Sequence, residues 1–134
     1  MYSLPVRIYW EDTDAGGVVY HAQYLAFMER ARSEWMRHNG HGQETMRRDH
    51  GLVFAVRAMT LDFLKPARLD DVLDVTVELA DCRRASLVFR QAVVRDGERL
   101  CEATVRIASL DAAGFRPTAI PPALHEQLKS LQSP

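Results

Sequence analysis

One segment of the chain carries apolar residues at helical spacing, and it is the longest element that the sequence predicts. Across residues 22–40 the apolar positions recur every three to four residues, which is the period of an amphipathic helix. Glutamates and arginines, Arg32 among them, are assigned to the polar face, and Gly40 is a typical residue at a helix end. So broad an apolar stripe predicts a helix buried against a sheet. The stripe consists of Tyr24, Phe27, Met28, Ala31, Trp35 and Met36.

Most of the remaining chain alternates between apolar and polar residues with a period of two, which is typical of strands. The pair Lys65-Pro66 should end one of these runs, because proline donates no hydrogen bond to a sheet. Asp96-Gly97 lies between two others and is typical of a hairpin turn. The predicted strands cover residues 6–10, 53–64, 72–80, 86–95 and 101–110.

The order of these elements predicts the fold class. A strand is followed by the long helix, then by about four strands in antiparallel style, and residues 121–131 form a short helix with proline near its start. This order is typical of an α+β domain in which a sheet wraps around one helix. A length of 134 residues fits a single domain over residues 1–134.

Composition and charge exclude several classes of function. The formal net charge of −1 argues against attraction of the whole protein to nucleic acid. No apolar stretch reaches the roughly 20 residues needed to span a bilayer. The first ten residues lack the basic start and apolar centre of a signal peptide, so we expect a cytoplasmic protein. Cys82 and Cys101 are too few for a disulfide framework and too far apart for a metal-binding pair, so we expect reduced thiols.

The candidate chemistry lies in "EDTDAGGVVYHAQY", residues 11–24. One interpretation is structural, because acids are favoured just before a helix. A second is a metal site, since Asp12, Asp14 and His21 are of ligand type. A calcium loop counted from Asp12 would need an acid where Gln23 stands, and no second histidine follows at helical spacing. We therefore predict no metal and no other cofactor.

Two further interpretations use the pair Gly16-Gly17. The glycines allow close approach of a phosphate, but the nucleotide-binding motifs that such a site needs are absent. The last interpretation is acyl transfer. An aspartate can act as base or nucleophile, and free N–H groups at a helix start stabilise an oxyanion. The small residues Ala15, Gly16 and Gly17 leave room for a substrate carbonyl, although spacing alone does not decide between the four.

Longer stretches of the chain resemble a known family. "YWEDTDAGGVVYHAQYLAFMERAR", "FAVRAMTLDFLKPARLDDVLDV", "ASLVFRQAVV" and "RPTAIP" resemble the YbgC-type acyl-CoA thioesterases, within the 4-hydroxybenzoyl-CoA thioesterase branch of the hotdog superfamily. The resemblance implies a hotdog fold, in which an antiparallel sheet of about five strands wraps around one long helix. It also implies hydrolysis of acyl-CoA thioesters to free acid and CoA, without a cofactor.

The resemblance also assigns roles within the first motif. It makes Asp14 the catalytic base or nucleophile and the backbone N–H of His21 the oxyanion donor, with the His21 side chain orienting substrate or water. Trp10 stands where close relatives often carry tyrosine, and on a strand its neighbour Tyr9 would face the other way. The residues expected to position the substrate are Trp10, Gly16, Gly17 and Tyr20.

The phosphates of CoA require cationic partners. Candidates lie in two segments, "LKPARL" and "DCRRAS", and the resemblance places the second near CoA. Phe27, Met28 and Met59 are candidates for either the core or an acyl pocket. The residues expected to bind CoA are Lys65, Arg68, Arg83, Arg84 and Ser86.

The resemblance has consequences for partners. It implies a homotetramer, a dimer of dimers with active sites at subunit interfaces, acyl carrier protein as an alternative carrier, and association with the Tol–Pal envelope system. Two other functions stay open at the level of sequence. One is a hotdog dehydratase or hydratase, and the other is a non-catalytic module that binds acyl groups or acyl carrier protein.

Overall fold

The computed structural model describes residues 1–134, and its elements are three α-helices and five strands. Helices α1, α2 and α3 are His21–His38, Gln43–His50 and Pro122–Lys129. The strands are β1 Tyr2–Arg7, β2 Leu52–Phe63, β3 Val72–Cys82, β4 Ser86–Arg95 and β5 Glu98–Asp111. They form one antiparallel sheet in the order β1-β3-β4-β5-β2.

The long helix and the inner face of the sheet form the core. All six residues of the predicted apolar stripe of α1 are buried. Trp35 of α1 meets Phe89 of β4 edge to face, with ring centroids 5.3 Å apart. The predicted α+β architecture is confirmed. Phe27 and Met28 belong to this core, whereas Met59 packs against it only in part.

The β4–β5 hairpin has the turn that its sequence predicts. Asp96 and Gly97 both have positive φ, 50° and 80°, as a two-residue turn of type I′ requires. The turn matches the right-handed twist of the strands that it joins. Arg95 and Glu98 pair directly across it.

The first strand is Tyr2–Arg7 rather than residues 6–10. Its pairing with β3 ends at Arg7, and a 3₁₀ turn at Trp10–Asp12 follows. The turn forms because the Asp12 carboxylate accepts a hydrogen bond from the Tyr9 N–H at 2.9 Å, which takes this segment out of the sheet. The argument that Tyr9 and Trp10 face opposite sides of a strand is therefore wrong.

Helix α2 was not predicted. Its eight residues are almost all polar and only Met46 is buried, so the sequence shows no apolar period. Gly51 ends it with φ of 63°, the left-handed conformation that glycine adopts at helix ends. A second correction concerns Arg32, which was assigned to the polar face of α1 but is buried with 7% of its surface exposed.

Strand β2 lies at one edge of the sheet and is largely exposed. It is twelve residues long and pairs only with β5. Val56 and Phe63 are each 52% exposed, although both are apolar. One side of β2 therefore presents unpaired backbone groups beside apolar side chains, which is a surface suited to pairing with another strand.

Candidate active site

Asp12 organises the loop between β1 and α1. Its side chain is buried, and its two carboxylate oxygens accept hydrogen bonds from the Tyr9 N–H at 2.9 Å and from Gln23 Nε2 at 2.7 Å. Its carbonyl oxygen accepts a third, from the Tyr20 N–H at 2.9 Å. Both carboxylate oxygens are thus hydrogen-bonded. Asp12 therefore fixes the loop to the start of α1 and is not free to act in a reaction.

Asp14, two residues later, is exposed. Its Oδ1 accepts a hydrogen bond from the Gly16 N–H at 2.8 Å, and Oδ2 has no partner within the chain. The loop closes tightly around it, because the Asp14 N–H donates to the Val18 carbonyl and the Gly17 N–H to the Asp14 carbonyl. A side chain at position 16 would place Cβ 3.2 Å from Asp14 Oδ1, and Gly17 has φ of 80°. A residue other than glycine at position 16 would therefore displace this carboxylate by a few tenths of an ångström, and one at position 17 would strain the backbone.

The first turn of α1 follows directly. Its first residue is His21, and Tyr20 precedes it in an extended conformation with φ of −62° and ψ of 134°. No side chain caps the helix, and the N–H groups of His21 and Ala22 donate to no acceptor in the chain. The Tyr20 and His21 rings lie against each other with centroids 4.4 Å apart. The helix start thus presents free donors and the positive end of the helix dipole.

Asp14, His21 and Lys65 line one cavity of about 340 Å³. Its wall includes Tyr24, whose hydroxyl accepts a hydrogen bond from the Ala67 N–H at 3.0 Å and whose pKa is raised by burial. Tyr24 was predicted as a core residue, and its ring also meets Phe63 edge to face at 5.6 Å. The remaining wall residues are Val18, Val19, Phe63, Leu64 and Pro66. One cavity is thus lined by an acid, by the first residue of α1 and by a mostly apolar wall.

The two cations of the "LKPARL" segment lie beside this cavity. Lys65 Nζ pairs with Glu98 at 2.7 Å, and both side chains are exposed. The backbone of Arg68 forms a bridge with Val18 of the loop that carries Asp14, and its exposed side chain has no ion-pair partner. The structure therefore brings both predicted cations to the neighbourhood of Asp14.

The "DCRRAS" segment lies at the opposite end of β3. β3 spans eleven residues, so about 33 Å separates Arg83 from the Asp14 end of the strand. Arg83 is held in the turn, since its Nε pairs with Asp81 at 2.8 Å and its N–H donates to the Ser86 carbonyl at 2.8 Å. The Arg84 side chain is exposed and unpaired. Within one chain these residues do not join the Asp14 cavity.

Trp10 is 81% exposed and also lies outside the Asp14 cavity. It lines a separate surface recess with Tyr9, Leu69 and Asp70. Trp10 is therefore not a core residue, and within one chain it does not reach Asp14.

The side chains that could bind a metal ion do not form a cluster. No three histidine, cysteine, aspartate or glutamate side chains lie close enough together to hold a metal ion. Cys82 and Cys101 are free and buried, and burial raises the pKa of the Cys101 thiol to about 11. None of the helices is both long and apolar enough to cross a membrane.

The contacts of Asp12 lead to a prediction about stability. We expect Asp12→Ala to lower the free energy of unfolding by about 2–4 kcal/mol, because it leaves the Tyr9 N–H and the Gln23 amide without acceptors. Glu11→Ala, an exposed acid one residue earlier, should change it by less than about 0.5 kcal/mol. Denaturant unfolding of the three proteins measures the difference. Equal stability of both variants would contradict the structural role of Asp12.

Comparison with known proteins identifies the family. The family model of the thioesterase-like superfamily matches residues 8–128. The acyl-CoA thioesterase YbgC of Haemophilus influenzae is 43% identical over 120 residues, covering 90% of this chain and 88% of the relative. The chain belongs to the YbgC family of the thioesterase-like superfamily. The acyl-CoA thioester hydrolase YbgC of Escherichia coli O157:H7 is 43% identical to this YbgC-family chain over 130 residues, with 96% of each protein covered.

Solved structures agree with this membership. A probable thioesterase from Bartonella henselae superposes on the YbgC-family chain with a TM-score of 0.83 at 33% identity, covering 90% of this chain and 98% of the other. A hypothetical protein from Aquifex aeolicus gives a TM-score of 0.87 at 26% identity, covering 96% and 99%. The predicted hotdog fold is confirmed by these matches and by the sheet that packs on α1.

Proposed function

We propose that residues 1–134 form a single hotdog domain that hydrolyses acyl-CoA thioesters to free acid and CoA. The observation that supports this proposal is one cavity lined by both Asp14, which has an unpaired carboxylate oxygen, and His21, the first residue of α1, whose N–H has no acceptor in the chain. The YbgC relatives, which are named for acyl-CoA thioester hydrolysis, support the same reaction.

The chemistry follows from these groups. The thioester carbonyl oxygen faces the His21 N–H, which stabilises the negative charge that develops when the carbonyl carbon is attacked. In one route Asp14 takes a proton from water while the water oxygen attacks, and the C–S bond then breaks as the departing CoA thiolate takes up that proton. In the other route the Asp14 carboxylate attacks the carbonyl carbon and the C–S bond breaks to release CoA thiolate, which gives a mixed anhydride; water hydrolyses the anhydride to the free acid and the Asp14 carboxylate. The unpaired Oδ2 of Asp14 is available for either role.

The positioning residues have distinct places in this proposal. Gly16 and Gly17 keep the loop narrow, so that the thioester can approach the carboxylate. The Tyr20 and His21 rings, which contact each other at an interplanar angle of 46°, form the rim next to the helix start. Trp10 is an exposed indole in the same segment. In this proposal it contacts the part of the substrate that lies outside the Asp14 cavity.

The CoA contacts divide into two groups. Lys65 and Arg68, next to the Asp14 cavity, would contact the phosphates of the CoA bound there. Arg83, Arg84 and Ser86 would serve the site of a second subunit. Two β2 edges that pair antiparallel about a two-fold axis place the Leu52 end of one subunit beside the Phe63 end of the other. Since the "DCRRAS" turn lies at the Leu52 end of the sheet, this pairing brings it towards the partner's cavity.

The proposal therefore includes a dimer through β2, and a tetramer as a dimer of such dimers. The long exposed edge and its apolar side chains support this assembly. A cytoplasmic location, the use of acyl carrier protein and a link to the Tol–Pal envelope system also belong to the proposal. The family resemblance is their support.

A charge on the exposed edge tests this assembly. We expect Val56→Asp to reduce the molar mass measured by sedimentation equilibrium to that of a smaller oligomer or the monomer. The reason is that a charge on an edge strand opposes pairing with another edge. Val72→Asp is a matched control, since Val72 is 49% exposed and Val56 52%. Val72 lies on β3 rather than on the free edge. An unchanged mass for Val56→Asp would argue against pairing through β2.

The reaction itself is tested by free-thiol release from acyl-CoAs that run from short to long chains and include aromatic acyl groups. Turnover supports the thioesterase and ranks the acyl groups, and the same acyl groups on acyl carrier protein test that carrier. Hydration of an enoyl-CoA with the thioester left intact would indicate the dehydratase instead. Binding of acyl-CoA or acyl carrier protein without any turnover would indicate a binding module.

A further inference from the structure

A second cavity of about 420 Å³ lies between α1, α2 and the sheet, and it shares no wall residue with the Asp14 cavity. Most of its wall is apolar and comes from α1 and strands β2, β4 and β5. These residues are Met36, Phe54, Val56, Leu87, Phe89 and Ile107. A cavity of this size and composition can take up an apolar chain of several carbons.

Arg32 is the unusual member of this wall. Its side chain is buried, and its only hydrogen bond is from Nη1 to Gln91 Oε1 at 2.8 Å. The Gln91 amide is fixed in turn by the carbonyl oxygens of Met28 and Thr76, at 3.1 and 3.3 Å. A guanidinium has five N–H donors, so most of those of Arg32 have no acceptor in the chain.

The charge of Arg32 is not neutralised by a direct partner. It forms no salt bridge; Glu29, the exposed acid on the preceding turn of α1, also lines the cavity but makes no hydrogen bond with it. Burial lowers the pKa of the Arg32 guanidinium, but a guanidinium stays protonated in proteins. A buried cation with only a neutral partner is costly, and an anion in the cavity would compensate it. The Gln43 amide is not available, since it bonds the backbone of Phe54.

We propose that this cavity binds a carboxylate carried by an apolar chain, with the Arg32 guanidinium as its receptor. The apolar wall holds the chain, and the free N–H donors of Arg32 hold the carboxylate. This chemistry has two sources: a free carboxylic acid, or the far end of a dicarboxylic acyl-CoA whose thioester lies in the partner subunit's cavity, which the proposed β2 pairing places beside this end of the strand. The first source requires no catalysis, and the second rests on the proposed thioesterase function.

Calorimetry with octanoate and octanol tests the site directly, because the two ligands share a chain and differ in the carboxylate. We expect the wild type to bind one octanoate per chain and to bind octanol at least about tenfold more weakly. Arg32→Met should remove this preference and leave octanol binding unchanged. Arg30→Met is the matched control. Arg30 is an exposed arginine on the same helix, and it lines a different recess from the cavity of Arg32.

Ser33→Phe provides a second test of the binding site if Arg32→Met fails to fold. Ser33→Phe fills the cavity from a half-buried position and retains Arg32, so it should abolish binding of both ligands. Equal affinity of the wild type for octanoate and octanol, or no binding of octanoate, would overturn the proposal. So would octanoate binding that survives both Arg32→Met and Ser33→Phe.

Hydrolysis of suberyl-CoA and octanoyl-CoA separates the two sources. A preference for suberyl-CoA in kcat/KM that is lost in Arg32→Met identifies the acyl end as the ligand. Arg32-dependent octanoate binding without such a preference identifies the free acid. If neither thioester is hydrolysed while octanoate binding still depends on Arg32, the thioesterase function fails and the carboxylate site stands.

Discussion

Asp14→Asn should lower the rate of free-thiol release by about 10²–10⁴-fold, the contribution typical of a positioned general base. The substitution preserves the shape of the side chain, and its amide oxygen can still accept the hydrogen bond from the Gly16 N–H. The group that takes a proton or attacks the carbonyl is lost. Because Asp14 is exposed and makes no other side-chain contact, the free energy of unfolding should change by less than about 0.5 kcal/mol.

The control for this variant is Glu11→Gln, which removes an exposed acid from the same loop and should retain activity. Steady-state kcat and thermal unfolding of both variants provide the comparison. A folded Asp14→Asn protein with wild-type kcat would refute the assignment. A single turnover in ¹⁸O-labelled water, followed by mass spectrometry of the peptide that contains Asp14, tests the nucleophilic route: label in the carboxylate arises only when a mixed anhydride has formed and water has attacked its aspartyl carbonyl carbon.

A second large effect is expected from His21→Pro, about 10²–10³-fold in kcat. Proline removes the backbone N–H that we propose as the oxyanion donor. It is tolerated at the first position of a helix, where the N–H makes no intrahelical hydrogen bond. Tyr20 already has the extended conformation that a residue before proline requires. The variant should therefore fold with α1 intact and lose catalysis.

His21→Ala provides the opposite case, because it removes the imidazole and keeps the N–H. It should retain most of the activity, and the ratio of kcat between the two variants isolates the backbone donor. Circular dichroism and thermal unfolding check that both proteins are folded. Comparable losses in His21→Ala and His21→Pro would assign the effect to the imidazole instead.

The sequence was sufficient for the fold class because the signals were strong and local. The stripe from Tyr24 to Met36 has a helical period, and it is buried as predicted. The hairpin at Asp96-Gly97 follows from residues that readily adopt positive φ. The sequence also allowed the prediction that Asp14 and His21 lie in one site, because both belong to one short segment at the start of a helix.

Other features depend on contacts that a single sequence does not display. The first strand was misplaced because the Asp12 carboxylate, rather than the alternation of apolar residues, determines the path after Arg7. Helix α2 lacks an apolar period. Arg32 was assigned to the polar face by its charge, although its spacing of four residues from both Met28 and Met36 places it on the buried stripe.

The position of β2 at the edge has a consequence for biosynthesis. Its only partner in the sheet, β5, begins at Glu98, which is 98 − 63 = 35 positions after Phe63. At about 5–20 residues per second, the ribosome takes roughly 2–7 s to reach the first residue of that partner. During this interval the nascent chain carries the twelve residues of β2 without the strand that pairs with them. Rapid overexpression should therefore favour aggregation through β2, and slower translation at low temperature should increase the yield of folded protein.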